Sequence, residues 1–128
     1  MKESFEELVK TVKQSVEKCP WHSRQTLEDC KEELQSELKE LFEAIDKKDF
    51  KNLKEELGDL FYDVLATMFI AQKAGILDPK DVIESVNAKI NRRKPWLFDE
   101  NSNVDAKEAS RIWHDVKAKE KSKIEVKR

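Results

Sequence analysis

Apolar residues recur every three or four positions along most of the chain, which is the spacing of one face of an α-helix. Two such stripes are prominent, one between residues 34 and 45 and one between residues 53 and 68. Their apolar members are Leu34, Leu38, Leu41, Phe42, Ile45, Leu53, Leu57, Leu60, Phe61, Val64 and Met68. Adjacent antiparallel helices joined by a short link pack such stripes against each other. The pattern therefore predicts a pair of packed helices at the centre of the chain.

Capping and helix-breaking residues divide the chain into five predicted helices. Their predicted bounds are about residues 4–18, 23 or 26 to 46, 50–74, 79–94 and 105–117. Lysine and glutamate dominate residues 118–128, and this composition predicts a frayed tail. We therefore predict a single all-α domain over residues 1–128, built as a bundle of four to five helices.

The composition agrees with an all-α class and limits the partners. The 128 residues include only two glycines and three prolines, so helix breakers are few. A formal net charge of −2 leaves no global basic field for a nucleic-acid polymer. Cys19 and Cys30 form no CxxC pair, which indicates reduced thiols in a cytoplasmic protein. The sequence predicts no signal peptide and no membrane span.

Two carboxylate pairs lie beside the apolar stripes. Glu37 and Glu40 are three residues apart in the second predicted helix, and Glu56 and Asp59 are three apart in the third. At about 100° per residue, both pairs occupy the same flank of their stripe, so packing brings four acids together. Mg²⁺, with Mn²⁺ as an alternative, would relieve their mutual repulsion. Acid-rich helix faces are also often simply solvated, and that alternative stays open at this point.

Basic and aromatic residues form a second set of candidates. Lys89, Arg92 and Arg93 lie near the end of the fourth predicted helix, where cations are favoured by the helix dipole. Arginine also matches phosphate oxygens, so a phosphate-binding role is the sharper hypothesis. Trp21 and Trp96 follow prolines in irregular segments, where they either cover the core or stack on a nucleobase.

Several other chemistries are not predicted. His22 and His114 do not follow a glutamate at three residues, so the Glu-x-x-His pairs of di-iron bundles are absent. Two isolated histidines and two isolated cysteines give no zinc pattern. The sequence also has no Gly-rich phosphate loop and no G-x-S-x-G nucleophile elbow.

Several ordered motifs resemble the MazG nucleoside triphosphate pyrophosphohydrolases, over about residues 5–120. They are Cys19-Pro20-Trp21 with Gln25-Thr26, Glu56-Leu57-Gly58-Asp59-Leu60, and Arg92-Arg93-Lys94-Pro95-Trp96-Leu97-Phe98. Trp113 and Lys117 resemble the closing W-x-x-I/V-K stretch of that family. The chain departs at Ser36, where the family motif E-E-x-x-E has its first glutamate, and at His22, where aspartate is frequent.

The resemblance implies an oligomeric helical enzyme that hydrolyses a nucleoside triphosphate to a monophosphate and pyrophosphate, a nucleotide-pool house-cleaning activity. It implies that Mg²⁺ is held by the catalytic acids Glu37, Glu40, Glu56 and Asp59. The implied substrate-binding residues are Trp21, Lys89, Arg92, Arg93 and Trp96. Phe69, Ile70, Ile76 and Leu77 offer apolar surface for a homodimer.

Two other functions stay open at the level of the sequence. One is a sister all-α pyrophosphohydrolase with a narrow substrate, such as a deoxynucleotide or phosphoribosyl-ATP. The other is a helical interaction module that has lost catalysis, an alternative that rests on Ser36 in the acidic motif.

Overall fold

The helical bounds come from a computed structural model, which describes the backbone of residues 1–127 and the side chains of residues 1–124. The described residues form five α-helices and one short 3₁₀ helix and contain no strand. The α-helices are α1 (Lys2–Lys18), α2 (Leu27–Asp46), α3 (Phe50–Lys73), α4 (Pro79–Arg93) and α5 (Ala106–Lys127), and the 3₁₀ helix is His22–Arg24. The predicted all-α class is confirmed.

Local capping explains why α2 and α3 begin where they do. Thr26 and Asp29 form a reciprocal capping box, in which the Asp29 amide donates to Thr26 Oγ1 at 3.3 Å. The Asn52 amide donates to Asp49 Oδ1 at 3.3 Å and so caps α3. Between the two helices, Lys48 adopts a left-handed conformation with φ of 53°. These local features place the two acid-bearing helices next to each other.

The chain separates into two compact units, one from Met1 to Pro79 and one from Lys80 onward. In the first unit α3 packs against both α2 and α1. The buried core of this unit consists of Val12, Val16, Cys30, Leu65, Ala66 and Ile70. The single domain that the sequence predicts over residues 1–128 stays a prediction. No helix in the described part of the chain is long and apolar enough to cross a membrane.

The apolar stripes are only partly buried, contrary to the sequence-based expectation. Leu41 and Ala44 of α2 are buried, as is Leu65 of α3. Six other stripe residues are 37–57% exposed within the described chain, namely Leu38, Phe42, Ile45, Leu57, Phe61 and Val64. Glu56 is buried and Glu37 is half-buried, so both acids are less exposed than these six apolar residues. These six residues give α2 and α3 an apolar face that is largely uncovered within the first unit, although Phe61 stacks on Phe5 of α1 with ring centroids 6.0 Å apart.

The terminal helices also differ from the sequence-based bounds. α1 begins at Lys2 without a side-chain cap, two residues before its predicted start at about residue 4. α5 begins after Asp105, whose Oδ1 accepts a hydrogen bond from the Glu108 amide at 2.8 Å. It continues to Lys127, where the sequence suggested a frayed tail from about residue 118. Ion pairs from Glu120 to α4 support the added turns of α5.

Candidate active site

The contact between α2 and α3 gathers three carboxylates. Glu37 of α2 and Glu56 and Asp59 of α3 each place one carboxylate oxygen within 4.8 Å of the other two. Glu56 is buried and only 7% exposed, whereas Glu37 is half-buried and Asp59 is exposed. The cluster thus extends from the helix contact to the solvent, which gives a small ion or a phosphate oxygen a way in.

Glu40 joins the same cluster from its exposed side. After burial, the proximity of Glu40 is the next cause of the raised pKa of Glu56, but Glu40 does not belong to the group of oxygens within 4.8 Å. The structure therefore brings all four predicted acids together, with Glu40 at the edge. Their role as metal ligands stays a prediction.

The acids perturb one another strongly. Burial, together with hydrogen bonds and charge repulsion from Glu40 and Glu37, raises the pKa of Glu56 to about 7. Burial also raises the pKa of Glu37, and the charges of Glu40 and Asp59 act in the same direction. A hydrogen bond from Glu56 opposes that rise. Near neutral pH the Glu56 carboxyl group is therefore only partly ionised while it lies among other acids.

Two oxygens in the cluster are buried without a hydrogen-bond partner. They are Glu37 Oε2 and Glu56 Oε2. Buried side-chain oxygens in proteins normally have a partner, so these two need an explanation. A hard divalent cation would supply both coordination and compensating charge. The cluster offers only oxygen donors, which suits Mg²⁺ or Mn²⁺ better than a metal that prefers nitrogen or sulfur.

Sequence analysis missed two further acids beside the cluster. Asp63 lies one helical turn after Asp59, and Glu33 lies one turn before Glu37. Burial raises the pKa of Asp63, and the charges of Glu33 and Asp59 add to the rise. The same spacing of four residues on one helix face was present in the sequence. This spacing indicates that the acidic face of each helix extends by one turn beyond the predicted site residues.

A small cavity of about 80 Å³ lies beside Asp63, and the predicted substrate residue Trp21 lines it. Trp21 is 64% exposed and stacks on His22, with ring centroids 5.9 Å apart. His22 is buried, and its Nδ1 lies 2.7 Å from Ser15 Oγ and 3.2 Å from the Tyr62 hydroxyl. Burial lowers the pKa of His22, which favours the neutral imidazole. The histidine thus fixes the loop that presents Trp21.

The predicted phosphate-binding residues lie in the second unit. Lys89, Arg92 and Arg93 line a cavity of about 550 Å³ between α4 and α5. The Arg93 side chain is 11% exposed, and that of Arg92 is 53% exposed. Trp96, the remaining predicted substrate residue, is half-buried in the segment between these helices. The structure therefore groups the three basic residues with one another, in a different unit from the acids.

Comparison with known proteins gives consistent matches. A family model described as the MazG nucleotide pyrophosphohydrolase domain matches residues 25–98. A Thermotoga maritima protein named nucleoside triphosphate pyrophosphohydrolase/pyrophosphatase MazG is 40% identical over 121 residues, or 93% of this chain. An Escherichia coli protein named nucleoside triphosphate pyrophosphohydrolase is 32% identical over 104 residues, or 81% of this chain.

The lengths of the matching proteins differ. The chain covers 46% of the Thermotoga maritima protein and 40% of the Escherichia coli protein, so it spans less than half of each. A crystal structure of a mazG-related protein from Thermotoga maritima superposes with a TM-score of 0.81 at 41% identity. That match covers 88% of this chain and 98% of the solved one.

Proposed function

The chain belongs to the MazG nucleotide pyrophosphohydrolase family, and on that premise we propose that it hydrolyses nucleoside triphosphates with Mg²⁺ as cofactor. One water is consumed, and the products are a nucleoside monophosphate and pyrophosphate. The observation that carries the proposal is the convergence of Glu37, Glu56 and Asp59 with two buried oxygens that lack a partner. Such a site is costly for the apo protein and is relieved by a cation.

The proposed roles of the acids follow from their burial. Glu37, Glu56 and Asp59 would hold the cation, with Glu40 as the fourth acid at the edge. A divalent cation supplies positive charge against phosphate oxygens and makes water a better nucleophile. Glu40 is exposed and lies close enough to Glu56 to help raise its pKa, after the larger effect of burial. It is therefore suited to orient the attacking water or to accept its proton through a carboxylate oxygen, a role that Glu37 could also take.

The proposed roles of the basic residues follow from their shared cavity. Arg92 and Arg93 offer guanidinium groups that match the oxygens of a phosphate, and Lys89 adds a further charge. These groups would bind the polyphosphate and stabilise the negative charge that develops on the pyrophosphate leaving group. Trp21, whose ring is largely exposed, would stack on the base. We also assign Trp96 to substrate binding, on the family resemblance alone.

We further propose that the chain acts as a homodimer in the cytoplasm. The uncovered apolar face of α2 and α3 supports the dimer, because contiguous apolar patches on soluble proteins mark interaction sites. Of the four residues proposed from the sequence, Ile70 is buried and Phe69 is half-buried, whereas Ile76 and Leu77 are exposed. Cys19 and Cys30 are both free thiols, as a reducing compartment would maintain them.

Pyrophosphate release, measured with Mg²⁺ on the eight common ribo- and deoxyribonucleoside triphosphates, tests the proposal. Wild-type protein should release pyrophosphate. Glu56→Gln and Asp59→Asn should each lose about 100-fold or more in rate, as expected when an essential charged group is removed. Glu55→Gln is the matched control, because Glu55 is an exposed acid of the same helix.

The outcomes separate the candidate functions. Release from a single substrate would identify a narrow-specificity sister enzyme. Full activity in both Glu56→Gln and Asp59→Asn would contradict the proposed site. No release from any triphosphate or from phosphoribosyl-ATP would favour a non-catalytic helical module.

A further inference from the structure

The cavity between α4 and α5 contains one acid among many cations. Glu120 lines it, and every other charged residue described in its lining is a lysine or an arginine. The lysines come from both helices, with Lys89 on α4 and Lys117 and Lys121 on α5. A polyanion is the ligand class that such a lining attracts. The family match ends at residue 98 and does not extend to the α5 wall of the cavity.

Glu120 contacts both arginines of the cavity at once. Its Oε2 accepts from Arg93 Nη2 at 2.8 Å, and its Oε1 accepts from Arg92 Nε at 3.3 Å. The pairing with Arg93 is the main reason that the pKa of Glu120 is lowered, so the carboxylate is ionised at neutral pH. A carboxylate and a phosphate present paired oxygens to a guanidinium in similar ways. Glu120 therefore occupies donor groups that a phosphate would use.

Arg93 has a second means of support that does not involve Glu120. Its guanidinium carbon lies 4.8 Å from the ring centroid of Trp113, a cation–π distance. Its Nε is buried without a hydrogen-bond partner and remains available as a donor. Trp113 therefore contacts the arginine from a direction that does not involve Glu120.

We propose that Glu120 is an internal competitor that occupies Arg92 and Arg93 and that a phosphate-containing ligand must displace. The naming of the ligand as a polyphosphate rests on the proposed function. Any phosphate ligand that displaces Glu120 breaks the same contacts, those of its carboxylate with the two arginines. A triphosphate regains more than that from the surrounding lysines, whereas a single phosphate regains less. Glu120 thereby sets a fixed threshold that a ligand with several phosphates exceeds, while ligands with one phosphate, which include the monophosphate product, stay weakly bound.

Calorimetry of the full chain with inorganic tripolyphosphate and with orthophosphate, without metal, tests this inference. Glu120→Gln keeps the size of the side chain and removes its charge. We expect it to bind orthophosphate and tripolyphosphate each about tenfold more tightly, because either ligand displaces the same carboxylate and its charge-assisted hydrogen bonds. Glu108→Gln is the control, because Glu108 is also on α5 and pairs with Arg111 at 4.0 Å, outside the cavity lining.

Three results would overturn the inference. Weaker binding by Glu120→Gln would mean that Glu120 positions the arginines. Equal changes in Glu120→Gln and Glu108→Gln would mean a general charge effect. No tripolyphosphate binding by wild type or variant would mean that the cavity takes no polyphosphate. Because no turnover is measured, failed hydrolysis of nucleotides would contradict only the proposed function.

A measurement on the wild-type chain covers the case in which Glu120→Gln does not fold. The ¹³C resonance of the Glu120 carboxylate should move toward that of a solvated glutamate as tripolyphosphate is added. Saturation with tripolyphosphate while that resonance stays unchanged would overturn the inference.

Discussion

Glu56 is the residue whose environment most departs from that expected for its type. It is a buried acid in a helix contact, and other acids surround it where a cation or a lysine would normally be found. Strongly perturbed carboxyl groups tend to mark functional sites. The burial of Glu56 is therefore better explained by binding than by the stability of the apo protein.

The pH dependence of apo stability provides a test at this position. Because the pKa of Glu56 is raised from 4.5 to about 7, its protonated form stabilises the fold. That contribution is complete below about pH 4.5 and is lost as the pH rises through about 7. In chelator, we expect the melting temperature of the wild type to fall more steeply from pH 5 to 8 than that of Glu56→Gln.

The glutamine variant keeps a neutral side chain at all these pH values, so it removes only the titration. Glu55→Gln should follow the wild-type curve. Parallel curves for wild type and Glu56→Gln would show that Glu56 titrates near its ordinary pKa, and the account of a strained acid cluster would be wrong.

At the level of helices, Gly58 lowers the stability of α3 for a reason that its contacts do not explain. It lies inside α3, and a Cβ added there would meet nothing within 4 Å. Alanine in a helix interior is favoured over glycine by about 1 kcal/mol. We therefore expect Gly58→Ala to raise the free energy of unfolding by about 1 kcal/mol, measured with denaturant in chelator at low protein concentration.

A destabilised Gly58→Ala variant would show that another group packs closely at this position. Lost pyrophosphate release in a stabilised variant would instead show that the space beside Asp59 is used by the ligand. The two results distinguish two possible roles of this glycine, close packing and room for a ligand.

Helix bounds were predictable where they depend on local chemistry. α2 and α3 begin close to their predicted first residues, because each cap, Thr26 or Asp49, contacts a residue only three positions away. The extent of α5 was not predictable in this way. Glu120 pairs with arginines 27 and 28 residues earlier in the chain, and no local pattern encodes such contacts.

The sequence was enough to predict which acids form the candidate site, but not how deeply each of them is buried. The shared spacing of Glu37 with Glu40 and of Glu56 with Asp59 was enough to place four acids together. Their depth depends on how α2 and α3 rotate about their axes. The structure turns Glu37 and Glu56 into the helix contact and leaves Phe42 exposed. Apolar periodicity alone does not distinguish a stripe that faces the core from one that faces a partner.

At the scale of the whole molecule, the uncovered apolar face predicts self-association. We expect sedimentation to give the mass of a dimer for the wild type and of a single chain for Phe42→Glu, since Phe42 is 57% exposed on that face. Ile76→Glu is the comparison, because Ile76 is 61% exposed in the link after α3. A monomeric wild type, or dissociation only by Ile76→Glu, would contradict the assignment of this face.

The central claim is that the acids of α2 and α3 form one divalent-cation site. Mn²⁺ binding followed by electron paramagnetic resonance tests it most directly, because the signal of free Mn²⁺ falls as the ion is bound. The account predicts binding by the wild type and by Glu55→Gln, and about a 100-fold weaker affinity in Glu56→Gln. Equal Mn²⁺ affinity in all three proteins would contradict it.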